Sequence, residues 1–276
     1  MPALRTRDRL ELKEHHWPAE GTVRAHLLLI HGIGEHGGRH AHVAARFARA
    51  RITTHAFDLR GFGGSSGTRA YLERWSDFYD DVEDELKYVR GRAGRAPVVL
   101  YGHSMGGLIA LGYVLSDRPK PDLLVLSAPA IAASVPGWKR AVAAVLARVA
   151  PRFTIANAFP PGGLSHDAAV EDAYRADRLN VHRTTTRLGN EFLSEQTRVQ
   201  RVLARLDRLP VPTYVLHGSD DPIVPVTASA ALDGKGNVTR RVYPGLVHEM
   251  HNEPQSAEVI SDTVAWLDAQ LDRTDR

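Results

Sequence analysis

Short apolar runs alternate with segments of helical period along most of the chain, and this alternation limits the fold more than any other feature. The apolar runs cover residues 27–30, 54–57, 98–101, 123–126 and 214–216, with residues 239–243 a further strand and residues 9–15 an antiparallel edge. The helical segments cover residues 42–49, 77–90, 105–115 and 257–271. Such apolar strands are typical of parallel sheets that helices cover on both faces. The sequence therefore predicts an α/β fold with a mostly parallel central sheet flanked by helices.

Composition excludes several classes of protein. With 276 residues the chain is long enough to bury a full core as one large domain. It has no cysteine, which excludes a disulfide scaffold, an iron–sulfur site and a cysteine nucleophile. Its 35 basic and 32 acidic residues leave a net charge of +3 without a basic block, so we expect no nucleic-acid partner. The first residues lack the apolar stretch of a secretory signal, and no window is long enough to cross a bilayer. We therefore expect a cytoplasmic protein, with peripheral membrane association as an option.

The alternation breaks between residues 131 and 206. This segment contains a helical pattern at residues 138–149, followed by several prolines and glycines at 151, 160, 161, 162 and 163. We interpret residues 131–206 as a cap inserted after the sixth strand, with residues 1–130 and 207–276 forming the core. The alternative is that this segment only adds helices to the flank of the sheet.

One helix of this segment has an apolar stripe. Its members recur at spacings of three and four: Ile131, Val135, Trp138, Val142, Val145, Leu146 and Val149. This spacing predicts one apolar helical face. We expect that face to contact lipid aggregates, with Lys139, Arg140 and Arg148 near anionic head groups. Packing of the stripe on the core is the alternative.

A glycine-rich motif suggests one kind of site. Gly32-Ile-Gly34-Glu-His-Gly37 follows a strand, and Asp58 ends the next strand, a spacing typical of dinucleotide-binding folds. However, Glu35 would place a carboxylate in the phosphate loop, and such a site gives the later motifs no role. An NAD-binding or non-catalytic α/β protein is therefore the distant alternative.

A second motif suggests nucleophilic catalysis. Gly102-His-Ser104-Met-Gly106 lies between a predicted strand and a predicted helix, where glycines allow the sharp turn that exposes a serine. Two carboxylates, Asp220 and Asp221, follow a later strand, and His248 follows the last one. Serine needs a base to remove its proton, and the base needs an acid to orient it. The order serine, acid, histidine is that of the α/β-hydrolase triad.

Metal catalysis is not expected, although the chain has 14 histidines. Four of them occur within one glycine-rich segment: His31, His36, His40 and His42. His248-Glu-Met-His251 is one residue shorter than the zinc-protease motif and does not place both rings on one ion. We expect neither a metal nor a cofactor.

Six motifs together closely resemble the monoacylglycerol lipases, above all their bacterial members. These motifs are His31-Gly-Ile-Gly-Glu-His36, Asp58-Leu-Arg-Gly-Phe-Gly-Gly-Ser65, Gly102-His-Ser-Met-Gly-Gly107, Leu126-Ser-Ala-Pro129, His217-Gly-Ser-Asp-Asp-Pro222 and Tyr243-Pro-Gly-Leu-Val-His-Glu249. The resemblance implies the α/β-hydrolase fold of the serine hydrolases. It extends from about Leu27 to the C-terminus and is weakest in residues 131–206.

The resemblance also implies a role for individual residues. Ser104 matches the nucleophile and His248 the base, and the spacing from Gly218 favours Asp221 over Asp220 as the acid. The backbone N–H groups of Ile33 and Met105 match the oxyanion hole. Further positions match groups that bind the glycerol hydroxyls: Glu35, Arg39 and His103, and less closely Tyr174 and His251.

The expected reaction is hydrolysis of the ester bond of a monoacylglycerol through an acyl-enzyme, giving glycerol and a fatty acid. The expected partners are a monoacylglycerol or related lipid ester and, through the cap, a transiently contacted lipid surface. A lysophospholipase or a broad short-chain carboxylesterase with the same triad is the alternative.

Overall fold

A seven-stranded sheet organises the molecule, which is described from a computed structural model for residues 4–132, 135–157 and 159–274. The strands are β1 (Leu4–Arg5), β2 (Glu11–Leu12), β3 (Glu14–Trp17), β4 (Ala25–Ile30), β5 (Ile52–Phe57), β6 (Val98–His103), β7 (Leu123–Ser127), β8 (Thr154–Ala156), β9 (Arg183–Thr185), β10 (Arg208–Gly218) and β11 (Gly236–Tyr243). The large sheet has the order β11-β10-β7-β6-β4-β5-β3. All its neighbouring strands are parallel except β3, which is antiparallel to β5.

Helices follow most strands of the sheet. They are α1 (Ala41–Arg49), α2 (Ser76–Ala93), α3 (Met105–Val114), α4 (Gly137–Val149), α5 (Ala168–Ala176), α6 (Thr186–Leu203) and α7 (Ser256–Thr274), with short 3-10 helices at Gly37–His40, Val226–Leu232 and Met250–Asn252. The predicted strands from residue 27 onward and the predicted helices lie within these elements to within one residue. The predicted antiparallel edge at residues 9–15 is shifted, because the edge of the large sheet is β3 and the shorter β2 pairs with β1.

Helices cover both faces of the sheet, and this explains the continuous apolar runs. Alternate residues of one strand contribute to different core clusters: Leu27 and Leu29 to one, Leu28 and Ile30 to the other. The first cluster includes residues of α1 and α7, and the second includes residues of α2, α3 and α6. Since side chains alternate along a strand, a sheet buried on both faces needs apolar residues at every position. The predicted mostly parallel, doubly covered sheet is confirmed.

The segment between β7 and β10 contains α4, β8, α5, β9 and α6. It follows β7, which is the fifth strand of the large sheet in chain order and not the sixth. Strands β8 and β9 form an antiparallel pair, and α4 packs on α6. The opposite side of α6 joins the core through Leu188, Val199 and Leu203. Among the described helices, none has the length and apolar character needed to cross a membrane.

Candidate active site

Ser104 occupies the turn between β6 and α3. Its backbone has φ 54° and ψ −116°, a conformation that side chains rarely adopt. The turn is held because the Ser104 N–H donates to the Ser127 carbonyl (2.9 Å) and the Ala130 N–H donates to the Ser104 carbonyl (3.0 Å). This geometry places the serine at the carboxyl end of the central strand and directly before a helix N-terminus, where backbone N–H groups have no partner within the helix.

The glycines on either side of Ser104 are required by close backbone contacts. A Cβ atom on Gly102 would lie 2.3 Å from the Gly106 carbonyl oxygen. One on Gly106 would lie 2.2 Å from the carbonyl oxygen of Ile30. Both distances are shorter than any non-bonded contact that a side chain can make. The spacing of the two glycines therefore follows from how tightly α3 approaches the strands β4 and β6.

His248 is paired with Asp221 and not with Asp220. Its Nδ1 lies 2.7 Å from Asp221 Oδ2, and both side chains are buried. The other oxygen of Asp221 accepts the backbone N–H groups of Ile223 and Val224, each at 2.8 Å. Burial alone would raise the pKa of the Asp221 carboxyl, but hydrogen bonds from His217, His248 and the backbone lower it below its ordinary value. Asp221 is therefore an anion fixed beside one imidazole nitrogen.

A cavity joins the serine and the histidine. The residues that line it are Gly32, Ile33, Glu35, His103, Ser104, Phe159, Leu164, Tyr174, His248 and Glu249. A second cavity, of about 120 Å³, shares Phe159, Leu164 and Tyr174 with it. The two cavities lie next to each other, and both are lined by residues of the segment between β7 and β10.

A buried ion network borders this cavity. Arg39 Nη1 donates to Glu35 Oε2 (2.8 Å), and the Arg39 guanidinium also donates to both oxygens of Glu249 (2.7 and 2.9 Å). Glu35 Oε1 accepts the backbone N–H of Gly32 at 2.6 Å. Burial raises the pKa of the Glu35 carboxyl, but the neighbouring His40 and Arg39 outweigh it and hold the pKa well below its ordinary value. The network connects the loop after β4 with the loop that carries His248.

A cluster of buried imidazoles lies behind the cavity. The His103 ring is 4.9 Å from the His248 ring and 4.8 Å from the His251 ring, measured between centroids. Burial, followed by the proximity of other imidazoles, lowers the pKa of His103 and of His251 well below the ordinary value. Both are therefore neutral at pH 7. Of these two histidines, His103 lines the cavity and His251 does not.

The remaining predicted site residues lie around the loop after β4. Ile33 borders the cavity, and Met105 begins α3. Tyr174 donates its hydroxyl to the Gly34 carbonyl (3.2 Å), and the guanidinium of Arg39 lies 5.0 Å from the centre of its ring. These contacts attach helix α5 to the loop. The structure therefore brings the predicted residues together around Ser104, with Arg39 and His251 one layer behind.

The geometry does not favour the dinucleotide interpretation. The Glu35 carboxylate occupies the inside of the glycine-rich loop by binding the N–H of Gly32. Asp58 accepts the backbone N–H groups of Gly37 and Gly64 and pairs with His15. The carboxylate that would bind a ribose is thus engaged with the protein itself.

Sequence reasoning missed two carboxylates. Glu249 accepts two hydrogen bonds from Arg39, and Asp177 contacts His36 at 2.8 Å. The spacing of Glu35 and Arg39 indicates a local pair. No local pattern indicates the long-range partners, since Glu249 is 210 residues from Arg39 and Asp177 is 141 from His36.

Comparisons with known proteins agree with this geometry. The sequence model of the family "Serine aminopeptidase, S33" matches residues 21–255. A monoacylglycerol lipase of Mycolicibacterium smegmatis is 34% identical over 92% of this chain and 92% of its own length. The monoglyceride lipase of Homo sapiens is 31% identical over 92% of this chain and 84% of its own length. The crystal structure of a Paleococcus ferrophilus monoacylglycerol lipase superimposes with a TM-score of 0.82 at 27% identity, covering 93% of this chain and 98% of that one. The α/β-hydrolase fold is thereby established.

Proposed function

Because the chain belongs to the monoacylglycerol lipases of the serine aminopeptidase S33 family, we propose that it hydrolyses monoacylglycerols with Ser104 as the nucleophile. The observation that carries this assignment is the arrangement of Ser104 and the Asp221–His248 pair around one cavity. An imidazole held at Nδ1 by a carboxylate has its Nε2 free to remove a hydroxyl proton. The products are glycerol and a fatty acid.

The reaction has two halves that use the same residues. His248 takes the proton of the Ser104 hydroxyl while its oxygen attacks the ester carbonyl. The N–H groups of Ile33 and Met105 stabilise the oxyanion, and His248 then protonates the glycerol oxygen as the ester bond breaks. Water, deprotonated by His248, attacks the acyl-enzyme. The bond to Ser104 Oγ breaks, Oγ regains its proton from His248, and the fatty acid leaves. Asp221 holds the imidazole and stabilises it while it carries the extra proton.

The charged groups at the cavity bind one another. The two carboxylates that line it, Glu35 and Glu249, both accept hydrogen bonds from Arg39. We therefore assign this polar rim to hydroxyl groups: Glu35, Arg39 and His103 bind the glycerol moiety, assisted by Tyr174 and His251.

The cap of this enzyme is residues 131–206, and the core is residues 1–130 and 207–276. The cap covers the path to Ser104, since Phe159, Leu164 and Tyr174 all belong to it. It is attached on both sides of the site. On one side the Glu249 N–H donates to the Leu164 carbonyl (2.8 Å), and on the other the Val181 N–H donates to the Gly34 carbonyl (3.0 Å).

The apolar face of α4 contacts the lipid surface that holds the substrate. Trp138, Val142, Val145 and Val149 are 66%, 49%, 57% and 73% exposed, although they recur on one face of the helix. The buried side of the helix has a small residue, Ala147. A soluble helix normally has the reverse arrangement, with its large apolar side chains inside. Ile131 and Leu146 do not share this exposed face, because Ile131 is fully buried and Leu146 half-buried.

Basic residues accompany this face. Lys139 Nζ lies 5.5 Å from the centre of the Trp138 ring, and Arg148 is exposed next to Val149. Arg140, in contrast, donates to the Leu193 carbonyl (3.2 Å) of α6 and therefore stabilises the cap itself. Cations beside an exposed apolar helical face are typical of reversible attachment to anionic lipid surfaces. The enzyme accordingly associates with membranes peripherally.

Labelling and substrate profiling test the assignment together. The wild-type protein should react with a fluorophosphonate probe, and Ser104→Ala should not. Ser104→Ala should lose ester hydrolysis by several orders of magnitude while keeping the circular dichroism and melting temperature of the wild type. Ser116→Ala, which removes a serine beyond the opposite end of α3, is the matched control and should keep full activity.

Relative rates then identify the substrate. A monoacylglycerol series should give a higher kcat/KM than lysophosphatidylcholine, p-nitrophenyl esters or aminoacyl anilides. A higher value for lysophosphatidylcholine or a short-chain ester would replace the monoacylglycerol by that substrate on the same triad. Normal turnover by folded Ser104→Ala would end the assignment of the nucleophile.

A further inference from the structure

Two imidazoles and a carboxylate meet outside the catalytic site. His15 belongs to the edge strand β3, His36 to the loop that precedes the first 3-10 helix, and Asp58 follows β5. One nitrogen from each ring and one carboxylate oxygen all lie within 4.8 Å of one another. None of the three residues lines the cavity at Ser104. Neither the ester chemistry nor glycerol binding requires this cluster.

His36 is held in the orientation of a metal ligand. Its Nε2 lies 2.8 Å from Asp177 Oδ2, while its Nδ1 is buried and has no hydrogen-bond partner. Only 9% of the side chain is exposed. A neutral imidazole that donates from Nε2 carries its lone pair on Nδ1. Metal-binding histidines commonly have this arrangement, in which a carboxylate holds the second ring nitrogen.

His15 and Asp58 face the same small space. His15 Nε2 lies 2.7 Å from Asp58 Oδ1, and backbone N–H groups of Gly37 and Gly64 hold the carboxylate in place. A Cβ atom on Gly38 would lie 3.0 Å from His36 Nδ1 and 3.3 Å from His15 Cε1. Both rings therefore border one space that exists because residue 38 has no side chain.

We propose that His15, His36 and Asp58 bind one divalent transition-metal ion, of which zinc is the best match. Two imidazoles and one carboxylate suit zinc, with water as the fourth ligand, whereas magnesium and calcium prefer oxygen ligands alone. The ion takes the place of the hydrogen that His15 Nε2 shares with Asp58 Oδ1, and the neutral His15 ring then carries its hydrogen on Nδ1. Ligand atoms around a tetrahedral ion are about 3.4 Å apart. The His15–Asp58 pair, now at 2.7 Å, must therefore open by roughly 0.7 Å, while the wider separations, which reach at most 4.8 Å, must close.

The position of the site gives the ion a structural role. It joins the sheet edge at β3 to the loop that continues from Ile33, and through Asp177 it also reaches the cap. A ligand that binds only the folded state stabilises it by RT ln(1 + L/Kd), where L is the concentration of free ligand, so the melting temperature rises with that concentration. We expect bound zinc to raise the melting temperature. We expect ester hydrolysis to require Ser104 whether zinc is bound or not.

Metal titration of the untagged, chelator-treated full-length protein tests the proposal. Calorimetry should show one Zn²⁺ per chain, and Co²⁺ should give the intense visible absorption of a four-coordinate ion. His36→Ala should abolish both signals. Asp177→Asn should weaken binding about 10- to 100-fold, as loss of a carboxylate behind a ligand does.

Two further variants separate this site from other histidines. His16→Ala is the matched control, because His16 is adjacent to His15 in the same strand but packs against His55, with ring centroids 4.8 Å apart; it should bind zinc like the wild type. Gly38→Ala keeps every ligand and fills the space between the rings, so it should weaken binding even if His36→Ala does not fold. An absence of Zn²⁺ binding, or binding that is unchanged in Gly38→Ala and Asp177→Asn, would overturn the proposal.

Discussion

Asp221 Oδ2 lies 2.7 Å from His248 Nδ1, whereas the adjacent Asp220 is exposed and accepts a hydrogen bond from the Ser219 hydroxyl (2.6 Å). The two carboxylates are adjacent in the sequence, but Asp221 is buried and Asp220 is exposed to solvent. The backbone N–H groups of Ile223 and Val224 fix Asp221, and Gly218 allows the close approach of the histidine loop, since a Cβ there would lie 2.2 Å from the Leu246 carbonyl oxygen.

This difference predicts unequal effects of two matched substitutions. Asp221→Asn should lower kcat by about 10⁴-fold, because the amide no longer selects the imidazole tautomer that accepts the serine proton. Asp220→Asn should leave kcat close to the wild-type value. Steady-state kinetics on one soluble ester compares them directly. Equal losses in the two variants, with both proteins folded, would mean that Asp221 is not the specific partner of His248 and that Asp220 must be reconsidered.

Glu35 predicts a difference between substrates. A carboxylate at the cavity accepts hydrogen bonds from glycerol hydroxyls, which a p-nitrophenyl ester lacks. Glu35→Gln should therefore lower kcat/KM for a monoacylglycerol about 10- to 100-fold more than for p-nitrophenyl acetate, the range expected for a hydrogen bond to a charged group. Arg39→Lys is the companion variant: it keeps the positive charge but loses the two-pronged contact with Glu249. Equal losses on both substrates would assign Glu35 to holding the Gly32 loop.

Local sequence patterns were sufficient to predict most of the strands and helices and the position of the serine turn. The serine turn is a property of five consecutive residues, 102–106, and its glycine spacing follows from backbone contacts at Gly102 and Gly106. The amphipathic pattern predicted the helix α4 but not the direction in which its apolar face points. In the structure α6 packs against the side of α4 that has small residues such as Ala147, so the face with the large apolar residues is left exposed. Glu249 and Asp177 were beyond sequence reasoning, since their partners come from distant segments that only the assembled sheet brings together.

Buried histidines predict a fall in stability at acidic pH. Burial, followed by the nearby His16 and His26, lowers the pKa of His55 to about 3. In the unfolded chain this imidazole binds a proton below about pH 6.5, whereas in the folded chain it stays neutral until much lower pH. The unfolded state therefore binds more protons, and the free energy of unfolding falls as the pH falls from 6.5 towards 3.

Urea unfolding at a series of pH values measures this effect. His55→Gln should reduce the slope of the free energy of unfolding against pH by up to about 1.4 kcal/mol per pH unit between pH 6 and pH 4. His182→Gln, which replaces an exposed histidine, is the control and should leave the slope unchanged. A slope that is the same in His55→Gln and the wild type would mean that His55 gains its proton equally in both states.

The exposed face of α4 predicts a dependence on the physical state of the substrate. Val149→Ser should slow hydrolysis of a monoacylglycerol in anionic vesicles more than hydrolysis of a soluble ester, because the valine is 73% exposed and contributes only to the lipid contact. Val23→Ser, at an exposed valine outside the cap, should slow neither reaction.

Trp138 gives an independent signal, since the other tryptophans, Trp17, Trp75 and Trp266, are buried or half-buried. Its emission should shift to the blue when anionic vesicles are added, and less when the vesicles are neutral, because Lys139 and Arg148 contribute to the attraction. Binding should be weak and reversible, as expected for one short helix that buries little apolar area. If Val149→Ser slows both reactions equally and the Trp138 emission is unchanged by vesicles, the face serves the folding of the cap and the substrate reaches Ser104 from solution.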